Sequence, residues 1–193
     1  MRKTKAEAAE TRKRIVETAA RAFREQGVEG AGLNAVMAAA GLTHGGFYRH
    51  FQSKGQLVAE AAAVAADASR QSLVAAIEPA ALEHRFEALV QAYLSPAHRD
   101  APGEGCLFAA LAGELAREDA ATRETATRCL QRLADLIAAQ RANPQTEAAR
   151  DQALAATATL VGAVALSRVA VDPDLSDRIL KAAAQDLLAR ESR

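Results

Sequence analysis

Apolar residues recur along this chain at the helical period. Ile15, Ala19, Ala22 and Phe23, with Val16 and Ala20 beside them, predict a first helix over residues 8–26. Gly27 stops it, because glycine tolerates the left-handed conformation that ends helices. Residues 28–32 form a glycine-rich connection. Leu33, Val36, Met37 and Ala40 give a second, short amphipathic helix that ends at Gly41. Thr43 follows and can cap a third, very short helix through its hydroxyl. Phe47 and Phe51, four apart, then point into a small shared core.

The remaining elements are punctuated by proline. Ser53 caps a longer helix running to about residue 77, with Leu57, Ala61, Val64, Ala65 and Ala68 on a narrow apolar face, and Glu78-Pro79 breaks it. Leu82, Phe86, Leu89, Val90, Tyr93 and Leu94 mark the next helix, closed by Ser95-Pro96. Residues 95–105 read as a loop, followed by short apolar helical turns from Cys106 to Ala116. Asp119 opens a helix to about Arg141, with Leu130, Leu133, Leu136 and Ile137 facing inward, and Asn143-Pro144 ends it. The last two helices span about residues 147–169 and 174–190. The fold class is therefore all-α, about nine helices. An N-terminal three-helix head occupies residues 1–52 and a helical domain residues 53–193.

Composition narrows the class. Half of the 193 residues are hydrophobic and only 4% are aromatic, a balance that suits helices with a real core. No apolar run approaches the roughly 20 residues that cross a bilayer. The basic Met1-Arg2-Lys3-Thr4-Lys5 has no apolar stretch behind it, so it is not a secretory signal. Two lone cysteines, Cys106 and Cys129, argue against a disulfide framework. The expectation is a soluble cytoplasmic protein with no membrane partner.

Net charge is zero, but its distribution is uneven. Residues 1–60 hold 10 Lys/Arg against 6 Asp/Glu, a net of +4, and the remainder carries −4. Such asymmetry is the footprint of one small part touching a polyanion. The basic, hydroxyl and aromatic side chains gather around Thr43, His44, Tyr48, Arg49, His50 and Lys54. A tight turn at Gly41-Leu42 leads into this stretch, as in the second half of a helix-turn-helix. A helix so short is no folding unit, yet it fits a DNA major groove. His44 and His50, six apart with no carboxylate or cysteine between them, lack metal-ligand spacing. No cofactor is expected. No G-x-G-x-x-G, P-loop, H-E-x-x-H or Cys-His constellation is present, and an enzyme is not expected.

The N-terminal third resembles the TetR family of bacterial transcriptional regulators. The matching residues are Thr11-Arg12-x-x-Ile15 with Ala19, Phe23 and Gly27, then Ala40-Gly41-Leu42, and finally Phe47-Tyr48-x-His50-Phe51-x-Ser53-Lys54-x-x-Leu57. The resemblance implies an Ω-shaped homodimer that binds a palindromic double-stranded DNA operator and is released by a small-molecule effector. It implies that Thr43 and His44 reach bases or phosphates, while Gly45 and Gly46 let the backbone approach. Tyr48, His50 and Lys54 would hold phosphates and Arg49 add a contact; for Lys54 a solvated helix start is the alternative. Two features depart from the pattern. Ala31-Gly32 stand where Ser or Thr is common, and paired glycines leave few side chains for base readout. Arg2, Lys3 and Lys5 either dip into the minor groove or simply solvate the terminus. A ligand-responsive activator, or a helical interaction protein without DNA activity, remain the alternatives.

Outside the head, the candidates are less specific. Phe86, Leu89, Tyr93, Cys106, Phe108, Leu111, Leu133 and Ile137 are candidates to line an effector cavity or else form ordinary core; His84, His98, Glu104 and Glu114 could orient a ligand. Few aromatics and no Trp favour a small apolar or electrophilic effector. Cys106, at a helix start, is either a thiol sensor or a small core residue. Ala156, Leu160, Ala163, Val164 and Ser167, with Ile179, Leu180, Ala183 and Leu187, form stripes expected to pair two subunits.

Overall fold

The computed structural model describes residues 5–141 and 146–191, and among them every regular element is helical. Among the described residues there are nine α-helices: α1 Lys5–Gln26, α2 Leu33–Ala39, α3 Lys54–Ile77, α4 Arg85–Tyr93, α5 Pro96–Asp100, α6 Leu107–Leu115, α7 Ala120–Ala138, α8 Glu147–Val169 and α9 Pro173–Glu191. Two short 3₁₀ segments, His44–Arg49 and Leu82–His84, complete the order.

Side-chain caps explain several of the starts. The Ser53, Ser95 and Thr146 hydroxyls and the Asp119 carboxylate accept backbone N–H groups three residues on, each satisfying a donor the helix cannot. Glycine explains two of the ends. Gly27 and Gly41 adopt φ of 79° and 73°. At Gly41 the Leu42 N–H reaches Met37 O and the Gly41 N–H reaches Ala38 O, which closes α2 and turns the chain sharply.

Some expectations change. The 95–105 stretch holds a short helix, α5, because Ser95 caps it and Pro96 sits at its first position. Leu82, Val64, Ala68 and Leu130 face outward rather than into the core. Lys5 belongs to α1; Arg2, Lys3 and the Asn143-Pro144 break lie outside the described residues. α8 is long and apolar enough to cross a membrane by length and composition, with mean hydropathy 1.3. That value comes from an alanine-rich helix whose inner face packs against α7 and α9.

The core falls into two clusters. One joins Ile15, Phe23, Met37, Phe47, Phe51 and Leu57 to Leu107, Leu111 and Leu115 of α6. The other gathers Phe86, Leu89, Tyr93, Ile137, Leu160, Val164 and Leu180. The N-terminal helices thus bury their apolar faces on α3 and α6.

Arg12 fastens the first cluster. Its guanidinium grips the Glu60 carboxylate with both terminal nitrogens, its Nε donates to His50 O at 3.2 Å, and it lies 4.5 Å over the Phe51 ring. One side chain thereby joins α1, the end of the 3₁₀ segment and α3. Arg12→Ala should lower stability by about 2 kcal/mol, read as a lower denaturation midpoint. Arg12→Lys, which lacks the planar fork, should recover only part of it. An unchanged midpoint would show that the clamp contributes nothing.

Candidate nucleic-acid interface

The 3₁₀ segment owes its form to its sequence. Gly45 and Gly46 weaken an α-helix, and the backbone instead makes tighter bonds, Gly46 N–H to Thr43 O at 3.0 Å and His50 N–H to Phe47 O at 2.8 Å. Thr43 stands at its start in extended backbone, but its hydroxyl makes no cap bond, so the expected side-chain cap is absent. Phe47 is fully buried and stacks on Phe51 at 5.4 Å. These two rings anchor the segment.

Everything else on it faces out. Thr43, His44, Gly45, Tyr48 and Arg49 are exposed, and Gly46, His50 and Lys54 are half-buried beside them. Tyr48 is 70% exposed although it packs edge-on against Phe47, which leaves its hydroxyl in solvent. His44 meets the Tyr48 ring edge-on at 6.5 Å. Lys54 Nζ pairs with Glu29 Oε1 at 2.7 Å across the turn from α1 to α2. Hydroxyl, imidazole and guanidinium groups are thus exposed on this segment, and the Lys54 ammonium follows it, paired with Glu29. Such groups suit phosphate oxygens and base edges. No group of three or more His, Cys, Asp or Glu among the described residues could hold a metal.

Residues 15–61 match the model of the tetR family of bacterial regulatory proteins, and residues 81–183 that of the tetracyclin repressor-like C-terminal domain. The chain belongs to the TetR family. Its first part is 48% identical over 59 residues to the HTH-type transcriptional regulator AcrR of Shigella flexneri, covering 31% of this chain and 27% of that one. It is 37% identical over 97 residues to SrpR of Pseudomonas putida, covering 50% and 44%. The match spans only about a quarter of the length of AcrR, and of TtgR of Pseudomonas putida likewise. The fold extends further. A TetR transcriptional regulator from Chloroflexus aurantiacus superposes with TM-score 0.79 at 26% identity, covering 97% of both chains. Reduced Escherichia coli NemR does so with TM-score 0.77 at 20% identity, covering 92% of this chain and 95% of its own.

Outside the head, the candidate residues do not gather in one place. Cys106, Phe108 and Leu133 line one narrow cavity, together with Cys129. Phe86, Leu89, Tyr93 and Ile137 are buried core, and Leu111 belongs to the cluster under the head. The expected pairing residues Ala156, Leu160, Ala163, Val164, Ser167, Leu180 and Leu187 are buried within the subunit, with Ile179 and Ala183 half-buried against them. The large apolar side chains that α8, α9 and their connection turn outward are Leu154, Leu166, Val169, Val171 and Leu175. Helical stripes do not reveal which of two apolar faces a helix keeps for itself.

Several ties between the head and α6 had no signal in the sequence. The Val28 N–H donates to Glu114 Oε2 at 2.7 Å, and Arg24 Nη1 donates to Gly105 O at 2.9 Å. A side chain at position 27 would run into Glu114, with a contact of 2.9 Å. Partners more than eighty residues apart leave no trace in local spacing.

His98 sets the start of α6. Its Nε2 accepts the Cys106 N–H at 2.8 Å, so its Nδ1 carries the proton donated to Tyr93 O at 2.6 Å. Burial, chiefly, holds the His98 pKa below the ordinary 6.5. The neutral ring therefore favours folding above that value, and the contribution is lost as pH falls below it toward the lowered folded pKa. Thermal stability should drop on acidification through this window, and His98→Gln should flatten the response. An identical pH response in that variant would contradict the role of His98.

Proposed function

We propose that the chain is a dimeric transcriptional repressor of the cytoplasm that binds a two-fold symmetric operator and releases it when a small molecule binds. The observation that carries this reading is the protruding His44, Tyr48, Arg49 and Lys54 set, held on a short segment by the buried Phe47 and Phe51. Residues 1–52 read DNA, and residues 53–193 bind effector and partner subunit. Thr43 and His44 meet base edges or phosphates; Gly45 and Gly46 allow close backbone approach. Tyr48, His50 and Lys54 hold phosphates, and Arg49 adds a cationic contact.

Dimerisation uses the outward faces of α8 and α9. Leu154, Leu166 and Val169 of α8, Val171 of the connection and Leu175 of α9 are exposed apolar side chains, Val171 97% so; an isologous pair covers them in both copies. The effector favours a dimer whose heads miss consecutive major grooves. A differential affinity of about 1–3 kcal/mol changes operator binding roughly 5- to 150-fold.

Binding to DNA flanking its coding sequence tests the reading. Affinity should fall by about a thousandfold or more between about 50 and 200 mM salt. Tyr48→Phe should weaken every bound sequence alike, by about fivefold. Glu29→Gln should tighten binding, since it frees Lys54 from its ion pair. Salt-independent binding, or an unaltered affinity in both variants, would reject the assignment.

A further inference from the structure

The exit from the 3₁₀ segment into α3 is held by side chains from both sides. Gln52 N–H donates to Gln56 Oε1 at 2.8 Å, and Gln56 Nε2 donates to Glu60 Oε1 at 3.2 Å. The Glu60 carboxylate also takes both terminal nitrogens of Arg12, whose Nε donates to His50 O at 3.2 Å. These bonds form a closed polar ring. It starts at Gln52 N–H and returns at His50 O, on the two peptide groups that flank Phe51. Phe51 itself is buried, stacked on Phe47 and covered by the Arg12 guanidinium. Backbone direction at the exit is therefore fixed from within by a ring stack and from outside by a polar circuit.

An amide suits the middle of this circuit. Gln56 accepts from a backbone N–H and donates to a carboxylate at once, which neither a carboxylate nor an ammonium could do there. Its two partners leave only one orientation of the amide. The residue three beyond a serine cap ordinarily returns its side chain to the N–H of the cap itself. Ser53 caps α3 and accepts the Gln56 N–H at 3.1 Å. The Gln56 side chain instead reaches one residue further back, to Gln52, and spends its other end on Glu60. That second bond serves no helix start. It serves the seam between α1, the exit and α3, where Gln56 and Glu60 are half-buried and such bonds compete with less water.

We propose that Gln56 is a positioning residue for operator binding, a role that rests on the regulator reading above. It acts through Gln52 and Glu60 and sets the angle between the 3₁₀ segment and α3. His44 and Tyr48 lie on the first of these elements, and Lys54 opens the second, with His50 at the joint. The angle therefore decides whether His50 and Lys54 reach phosphates while His44 and Tyr48 lie in the groove. Breaking the circuit leaves every contacting side chain in place and spoils their register.

The test uses the full chain and a duplex that the parent selects from a random-sequence pool, with affinity measured well below the denaturation midpoint. Gln56→Met keeps size and helix propensity but removes both side-chain bonds. It should weaken the duplex about tenfold. Lys54→Met should cost the parent about fivefold and the Gln56→Met variant much less, because a misplaced ammonium has little contact left to lose. The swap of Gln56→Glu with Glu60→Gln keeps net charge, one amide and one carboxylate in the circuit. Its affinity should return to within about threefold of the parent. Parent-like affinity in Gln56→Met, strictly additive effects of positions 54 and 56, or a swap as weak as Gln56→Met would overturn the proposal. A parent that selects no duplex would remove the regulator reading, and this role with it.

Discussion

The packing of the N-terminal helices on α3 and α6 is the constraint from which the rest follows. α1, α2 and the 3₁₀ segment do not close a core among themselves; it is completed by Leu57, Val58 and Ala61 of α3 and by Leu107, Leu111 and Leu115 of α6. Burial of that kind is non-directional; polar ties at both ends of α6 give it direction. Arg24 holds Gly105 O near its start, and Glu114 holds the Val28 N–H near its end. The head is therefore seated in part on the helix whose start His98 fixes through the Cys106 N–H.

This seating joins rigidity to function. A segment with two adjacent glycines would wander as a free peptide. Here Phe47 and Phe51 pin it from within, and Arg12 pins its last carbonyl. Tyr48, Arg49 and His44 stay outside because the inward positions are taken by the two rings. The same geometry makes displacement of α6 costly to ignore, since its apolar side chains belong to the head's own core. Close-packed interiors transmit such shifts rather than absorb them.

Much of the head was legible in the sequence because its signals are local. Gly27 and Gly41 mark helix ends by conformation, Ser53 marks a start by capping, and Phe47 and Phe51 mark a core by spacing. The Thr43 cap was the exception, because the paired glycines draw the segment into 3₁₀ form. The C-terminal part was legible in outline only. Stripes on α8 and α9 were expected to pair two subunits, yet Ala156, Leu160 and Val164 fill the subunit core while Leu166, Val169 and Val171 are exposed. Periodicity gives a face and not its partner. Tyr93, His98 and Cys106 were candidates by residue type, but the bonds that join them with Arg168 could not be seen, since they come from α4, α5, the residue before α6 and α8.

Amide hydrogen exchange on the full chain and on Glu114→Gln tests the seating most directly. Replacing the carboxylate with an amide weakens the bond to Val28 without changing size. Exchange should quicken through the α1–α2 turn, α2 and the 3₁₀ segment together, and stay as in the parent across α8 and α9. Faster exchange confined to Val28, or spread evenly over the whole molecule, would contradict a head held in place by α6.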